Sequence, residues 1–140
     1  MSSGISPKMS SSRPPAILVT HGDLAAGFVS AVAQITGRSD DFVTISNGGM
    51  GAEELERVLR ETIERTGARV VFTDLPAGSC AICARRVTRA IEGIVVVSGT
   101  NLATLLDYVF DEEATPEEAA RRAVDRGRAS LMVVGAPRGA

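Results

Sequence analysis

Short aliphatic segments alternate with helical patterns along this chain from residue 16 onward. The segments typical of buried strands are Ala16–Thr20, Phe42–Ser46, Val70–Thr73 and residues 94–98. Between them, apolar residues recur at spacings of three and four, the period of an amphipathic helix. Strands alternating with helices at these distances favour right-handed crossovers and a parallel sheet. We therefore predict an α/β three-layer sandwich, with a mostly parallel sheet in the common order 2-1-3-4.

The composition agrees with such a sheet and excludes several classes of protein. Hydrophobic residues make up 44% of the 140 residues and aromatic residues only 4%, so the core must be aliphatic. The net charge of −2 and the interleaving of arginines with acids argue against a nucleic-acid surface. The sequence shows no signal peptide and no apolar run near 20 residues, which predicts a cytoplasmic protein.

The two ends of the chain carry separate predictions. Residues 1–15 are rich in serine and contain three prolines, which indicates a disordered leader before a single domain at 16–140. Near the other end, Thr115, Pro116 and Glu118 form the pattern of a capping box at a helix start. Gly127 is predicted to end that helix, and residues 131–134 are predicted to form a C-terminal edge strand.

One histidine and one aspartate follow neighbouring strands of the predicted sheet. His21, the only histidine, comes directly after the first strand, and Asp74 comes directly after the third. In the order 2-1-3-4 these strands are adjacent, and their carboxyl ends border the crevice in which ligands bind. A carboxylate on one ring nitrogen fixes the imidazole tautomer and stabilises positive charge when the other nitrogen attacks. Such a pair can accept a phosphoryl group.

Backbone amides near this pair are predicted to bind the phosphate. Free N–H groups at helix N-termini bind anions, and they are expected here around Gly22 and around Gly78 and Ser79. The hydroxyls of Thr20 and Ser79 are further candidate donors, and the arrangement requires no metal. The structural alternative is that Asp74 and Ser79 only cap helices, Ser79 as the N-cap of the third helix.

A Cys80-x-x-Cys83 pattern supports a competing interpretation. Two cysteines that open a helix after a strand are typical of thiol redox centres, because the helix N-terminus lowers the thiol pKa. The order of elements does not match a thioredoxin-like unit, which favours two buried apolar cysteines. A zinc site of His21, Asp74, Cys80 and Cys83 has suitable ligand types, but the spacing matches no standard pattern.

The sequence lacks the motifs of the common nucleotide-binding loops. The glycine-rich turn at residues 47–51 lacks the G-x-G-x-x-G spacing of a dinucleotide fingerprint. The only lysine is Lys8, so the chain has no Walker loop.

Three stretches together resemble the mannose-family IIA component of the bacterial sugar phosphotransferase system. The first is Ile-Leu-Val-Thr-His-Gly-Asp-Leu-Ala at residues 17–25. The second is Val-Phe-Thr-Asp-Leu at 71–75, continued by the Gly-Ser pair at 78–79. The third is Ser-Gly-Thr-Asn-Leu at 98–102, followed by two leucines at 105–106. The similarity extends from about residue 15 to residue 110.

The resemblance implies a phosphocarrier role. In such a role His21 accepts a phosphoryl group from the phosphohistidine of the carrier protein HPr and passes it to a IIB component. It implies that Asp74 hydrogen-bonds the other ring nitrogen and that the following loop and Ser79 line the phosphate site. It also implies a homodimer that can exchange its last strand between subunits, no cofactor, and only indirect contact with the membrane components IIC and IID.

The loop after Asp74 departs from the family pattern. Where the family has Phe-Gly-Gly-Ser-Pro, this chain has Pro-Ala-Gly-Ser-Cys at residues 76–80. Losing one glycine and gaining a proline stiffens the loop and changes the surface that a partner meets. With no linker or IIB domain, the chain is expected to act as a stand-alone IIA, in transport or in regulation alone. The related phosphocarrier of dihydroxyacetone kinase is an alternative.

Overall fold

A computed structural model describes residues 13–139 as four strands and five helices. In chain order these are β1 (Ala16–Thr20), α1 (Leu24–Thr36), β2 (Phe42–Ser46), α2 (Ala52–Thr66), β3 (Val70–Thr73), α3 (Ser79–Arg89), β4 (Val95–Val97), α4 (Leu102–Phe110) and α5 (Pro116–Ala129). The four strands form one parallel sheet in the order β2-β1-β3-β4. The predicted α/β class and strand order are confirmed.

Helices cover both faces of the sheet and divide the core into two layers. Along β1, Ala16 and Leu18 pack with α1, α4 and α5, whereas Ile17 and Val19 pack with α2 and α3. Successive side chains of a strand point to opposite faces, so a strand buried on both sides must be apolar throughout. All four of these side chains are at most 1% exposed. This accounts for the continuous aliphatic run that precedes His21.

Side chains cap α4 and α5, the latter by the predicted capping box, and α3 starts earlier than predicted. Asn101 accepts a hydrogen bond from the Thr104 N–H at the start of α4. Thr115 and Glu118 form both bonds of the capping box at the start of α5. Helix α3 begins one residue earlier than predicted, so Gly78 is its N-cap and Ser79 is its first helical residue.

Gly127 does not end α5, contrary to the prediction from sequence. The helix continues to Ala129, and Gly127 lies where α5 crosses the start of α4. A Cβ at this position would overlap Thr104 Oγ1 and lie 3.1 Å from Asn101 Oδ1. The Asn101 side chain donates a hydrogen bond to the Gly127 carbonyl at 3.0 Å. This glycine is therefore required by the close packing of two helices.

The predicted edge strand at residues 131–134 is wrong for the single chain. Within residues 13–139 this segment pairs with no strand. Because α5 extends past Gly127, only Ser130 separates the helix from the segment, and one residue is too short a connection to return a strand to the sheet. Leu131 is 83% exposed and Val133 is 97% exposed. An apolar segment is thus left in solvent.

Arg13, three residues before the predicted domain start at residue 16, contacts the end of α4. Arg13 donates hydrogen bonds to the carbonyls of Tyr108 and Asp111, and its guanidinium lies 4.2 Å from the centre of the Tyr108 ring. The rest of the predicted leader, residues 1–12, lies outside the described residues. Within 13–139, none of the helices combines the length and apolarity needed to cross a bilayer.

Candidate functional site

Three polar residues directly follow the three neighbouring strands β2, β1 and β3. In the parallel register Thr20 lies beside Ser46, and Val19 lies beside Thr73. Asn47, His21 and Asp74 are the next residues after these strands, so they meet at the carboxyl edge of the sheet. The order of connections reverses between β1 and β3, which is where ligands gather in open α/β sheets. The predicted juxtaposition of His21 and Asp74 is present.

Asp74 holds both the backbone and the ring of His21. Its Oδ2 accepts one hydrogen bond from the His21 N–H and one from His21 Nδ1, each at 2.9 Å. Burial alone would raise the pKa of Asp74, but the two hydrogen bonds and the charge of His21 outweigh it and lower this pKa. An ionised carboxylate only accepts hydrogen bonds, so Nδ1 carries the proton and Nε2 carries the lone pair. The His21 side chain is 43% exposed.

The start of α3 lies against the imidazole. Gly78 has φ +100° and ψ −179°, a conformation that is almost restricted to glycine. A Cβ there would lie 3.9 Å from His21 Cε1, which places the backbone of Gly78 beside the ring. Among the described residues no side chain caps this helix, so its first N–H groups are available to an anion.

Thr20 and Gly22 occupy the turn between β1 and α1. Gly22 is exposed, with φ +54°, and follows His21 directly. Thr20 is 1% exposed, and its Oγ1 accepts a hydrogen bond from the Ala25 N–H at 2.8 Å. This bond starts α1, which positions the turn carrying His21. The contact of the Thr20 hydroxyl with a phosphate stays a prediction, since the hydroxyl still has its own O–H to donate.

Asn47 belongs to this site and was missed by the sequence analysis. Its Nδ2 donates to Ser79 Oγ at 3.3 Å, and its backbone N–H donates to the Thr20 carbonyl at 3.1 Å. Ser79 is exposed, next to Gly78 at the start of α3. The rule that selected His21 and Asp74, a polar residue directly after a parallel strand, also selects Asn47. Its place inside a glycine-rich turn obscured that signal.

The two cysteines lie in different relations to the histidine. Cys80 Sγ is 3.9 Å from His21 Nδ1, and Cys80, His21 and Asp74 form a group of donor atoms that all lie within 4.8 Å of one another. Cys83 lies outside this group. Both thiols are free and buried. Burial raises the pKa of Cys80, and it raises that of Cys83 to about 11, with a further contribution from Glu56. Reactive redox thiols have lowered pKa values, so this pair lacks that property.

The sequence model of the family described as "PTS system fructose IIA component", the mannose-type IIA family, matches residues 16–124. The chain belongs to this family. The resemblance found in the three stretches is thereby confirmed, and membership assigns this mannose-type IIA chain to the phosphoryl-transfer components of the sugar phosphotransferase system. A search of curated protein sequences found no significant match.

Solved structures of IIA proteins share the fold of this mannose-type IIA chain. A phosphotransferase system component EIIA from Streptococcus agalactiae is 20% identical, with a TM-score of 0.77, over 85% of this chain and 95% of its own. The mannose/sorbose specific IIA subunit from Enterococcus faecalis is also 20% identical, with a TM-score of 0.76, over 90% of this chain and 98% of its own. A sigma-54 interaction domain protein from Enterococcus faecalis is 12% identical, with a TM-score of 0.69, over 86% and 95%. At these identities the likeness concerns the fold alone.

Proposed function

We propose that this chain is a phosphocarrier that accepts a phosphoryl group on His21 from HPr and passes it to a IIB component. The observation that carries the proposal is the double hydrogen bond from His21 to Asp74 Oδ2. It fixes the proton on Nδ1 and leaves Nε2 with a lone pair on a side chain that is 43% exposed. Within residues 13–139, Nε2 has no hydrogen-bond partner.

The proposed transfer exchanges one P–N bond for another. The Nε2 lone pair attacks the phosphorus of the HPr phosphohistidine, and the electron pair of the breaking P–N bond returns to the donor imidazole. His21 keeps the proton on Nδ1, so its phosphorylated ring is positively charged and Asp74 stabilises that charge. In the second step the same bond breaks toward a nucleophile of the IIB component. No proton has to leave His21 in either step.

Backbone amides supply the proposed phosphate site. Phosphoryl transfer depends mainly on alignment and on donors to the three equatorial oxygens. The N–H groups of Gly22, Gly78 and Ser79 lie near the starts of α1 and α3, on either side of His21. Ser79 is exposed, and its hydroxyl accepts a hydrogen bond from Asn47. A helix N-terminus favours the phosphate charge by about 0.3–1 kcal/mol or more.

Exposed apolar side chains on the elements that carry the site offer a surface to the partner proteins. Leu24 at the start of α1 is 42% exposed, Leu75 in the loop after Asp74 is 53% exposed, and Ile82 on α3 is 48% exposed. A shallow cavity of about 210 Å³ beside Ser79 is lined mainly by apolar side chains, Ile82 among them. Exposed apolar groups next to a reactive side chain are typical of a surface that docks another protein. We assign this surface to HPr and, in turn, to the IIB component.

Incubation with phosphoenolpyruvate, enzyme I and HPr tests the proposal. The chain has one histidine, so a single phosphoryl group that is labile in acid, stable in base and absent from His21→Ala is assigned to His21. The His21→Ala variant is expected to take up none, with an unchanged circular dichroism spectrum. A wild-type chain that stays unmodified while a known IIA protein is labelled in the same mixture would overturn the phosphocarrier assignment.

We also propose that the protein is a homodimer in the cytoplasm and reaches the membrane components only through the IIB component. The apolar segment 131–134 is exposed, and the outer edge of β4 carries no strand in the described chain. A cavity of about 410 Å³ lies there, lined by all three valines of β4 and by Ala120 and Val124 of α5. An unpaired edge next to an unburied apolar segment favours pairing between two chains.

Light scattering after size exclusion measures the oligomeric state. The wild-type protein is expected at about twice the chain mass of 14.6 kDa. Val133→Asp is expected to shift it toward monomer, because a charge replaces a side chain that the second copy would bury. Ala136→Asp, an exposed position just beyond the segment, is the matched control. A monomeric wild type would contradict this part of the proposal.

The altered loop favours a second candidate, a regulatory phosphoprotein. Proline and alanine at residues 76 and 77 change the surface next to Asp74, and Arg85 donates a hydrogen bond to the Pro76 carbonyl at 3.2 Å, which restrains this loop. Under this alternative, HPr labels His21 but the group does not pass to a IIB component. A third alternative, the phosphocarrier of dihydroxyacetone kinase, predicts transfer to that kinase instead. These three functions are distinguished by adding purified IIB component or dihydroxyacetone kinase to the phosphorylated chain and following where the phosphoryl group goes.

A further inference from the structure

The phosphocarrier step leaves one group at the site without a role, the thiol of Cys80. Its Sγ lies 3.9 Å from His21 Nδ1, which itself lies 2.9 Å from Asp74 Oδ2. All three donor atoms are within 4.8 Å of one another. The helix α3 brings Cys80 to this point, since it is the second residue of that helix and is 1% exposed.

These three donors match the chemistry and the size of a zinc-class ion. Zinc binds thiolate, imidazole nitrogen and carboxylate oxygen at about 2.0–2.3 Å, so neighbouring donors of a tetrahedral ion lie about 3.3–3.6 Å apart. The observed separations of 2.9 Å and 3.9 Å lie on either side of this range. The third pair, Cys80 Sγ and an Asp74 carboxylate oxygen, lies within 4.8 Å. Side-chain movements of about an ångström would bring all three donors to tetrahedral geometry.

An unpaired carboxylate oxygen gives a second reason to expect a cation. The Asp74 side chain is only 8% exposed, and its Oδ1 is buried with no hydrogen-bond partner among the described residues. A buried acceptor without a partner is costly, and such atoms in folded proteins usually mark a bound water or ion. A divalent cation beside Asp74 would compensate both the charge and the missing contact.

We propose that His21 Nδ1, Asp74 and Cys80 bind a thiophilic divalent cation such as Zn²⁺, and that the bound ion prevents His21 from accepting a phosphoryl group. Three protein ligands leave the fourth position of a tetrahedral ion to a water molecule. Cys83 is not a ligand. The second half of this inference rests on the proposed phosphocarrier function, whereas the first half does not.

The inhibition follows because a metal ion and a phosphoryl group would compete for the one lone pair of the neutral His21 ring. A neutral imidazole has one lone pair and one N–H. In the metal-free chain, Asp74 keeps the proton on Nδ1 and the lone pair on Nε2. A metal ion on Nδ1 takes the lone pair there, so the proton moves to Nε2 and this nitrogen is no longer a nucleophile. The thiol proton of Cys80 is released to solvent as its thiolate binds the ion.

Metal titration of the full chain tests the binding site itself. With Zn²⁺ competed against a chromophoric chelator, and with Cd²⁺ read by its thiolate absorption band, the wild type is expected to bind one ion per chain. Cys80→Ser and Cys80→Ala are expected to weaken binding at least tenfold. Cys83→Ser, the same change at a buried cysteine of the same helix, is the matched control and should bind as the wild type does. An equal loss of metal affinity in the Cys80 and Cys83 variants, or no loss in the Cys80 variants, would overturn the proposed site.

Phosphorylation assays test the inhibition separately. Zn²⁺ is expected to lower acid-labile phosphorylation of the wild type at least tenfold, and a chelator is expected to restore it. Cys80→Ser in the same mixture should be labelled with or without Zn²⁺, which controls for effects on enzyme I and HPr. If Zn²⁺ binds but does not lower phosphorylation, the proposed inhibition is overturned and the metal site is not. An unlabelled metal-free wild type would contradict the phosphocarrier function and leave the titration result standing.

Discussion

A single carboxylate oxygen, Oδ2 of Asp74, holds His21 at two points, its backbone N–H and its ring Nδ1, each at 2.9 Å. The backbone bond fixes where the turn leaves β1, and the ring bond fixes the tautomer and the orientation of the imidazole. Since both bonds end on one atom, position and reactivity of the histidine depend on the same side chain.

Asp74→Asn is expected to reduce the rate of phosphorylation by roughly 10²-fold or more while the chain stays folded. A neutral amide no longer stabilises the positive charge of the phosphorylated ring. It can also donate a hydrogen bond to Nδ1, so part of the population carries the proton on Nε2 and cannot react. Rapid-quench labelling with HPr phosphate measures the rate. Asp23→Asn, at an exposed N-cap that makes no side-chain cap bond, is the control. Equal rates for wild type and Asp74→Asn would contradict the assigned role.

Gly78→Ala is expected to destabilise the fold by about 1–3 kcal/mol and to slow phosphorylation, because φ +100° with extended ψ is strained for any residue with a Cβ. The contact at 3.9 Å to His21 Cε1 is ordinary, so strain and not overlap is the cause. Urea unfolding gives the free energy of unfolding. Gly27→Ala, within α1 and with no atom near its Cβ, should instead stabilise by about 0.5–1 kcal/mol.

Gly127→Ala is expected to cost about 1–3 kcal/mol of stability, through overlap with the Thr104 side chain, whose Cβ would lie 2.9 Å away. Thr104→Ala removes the overlapping hydroxyl and with it the hydrogen bond to Asn101 Oδ1. In a double-mutant cycle the two changes should therefore be strongly non-additive, with the double variant more stable than the sum of the single effects predicts. Additive free energies of unfolding would show that the two helices are not in this close contact.

Cys83 should make stability fall at high pH. Burial and Glu56 raise the pKa of its thiol from 9.0 to about 11, so between these values the folded chain binds more protons than the unfolded chain. The stabilisation is complete below about pH 9 and is lost as the pH rises toward 11. The free energy of unfolding of the wild type should decline more steeply across this window than that of Cys83→Ala. Parallel curves for the two proteins would contradict the raised pKa.

The local sequence determined the elements and most of their ends. Apolar runs of three or four residues, each ending in a threonine, were sufficient to predict β1 and β3, because a strand buried on both faces is apolar almost throughout. In β2 apolar and polar residues are mixed, and only Phe42 and Ile45 are buried. The capping box at Thr115 is equally local, since both of its hydrogen bonds join residues three apart. The parallel order then brought His21 and Asp74 to one edge.

Tertiary contacts decided what no local pattern encodes. Gly127 looked like a helix end, and only the passage of α5 over α4 shows that its missing side chain serves packing. Asn47 joined the site through Ser79, a residue 32 positions away. Cys80 Sγ lies 3.9 Å from His21 Nδ1, although the two residues are 59 positions apart in the sequence. The sequence specifies which residues follow each strand, whereas distances between side chains on different elements exist only once the sheet and helices have packed.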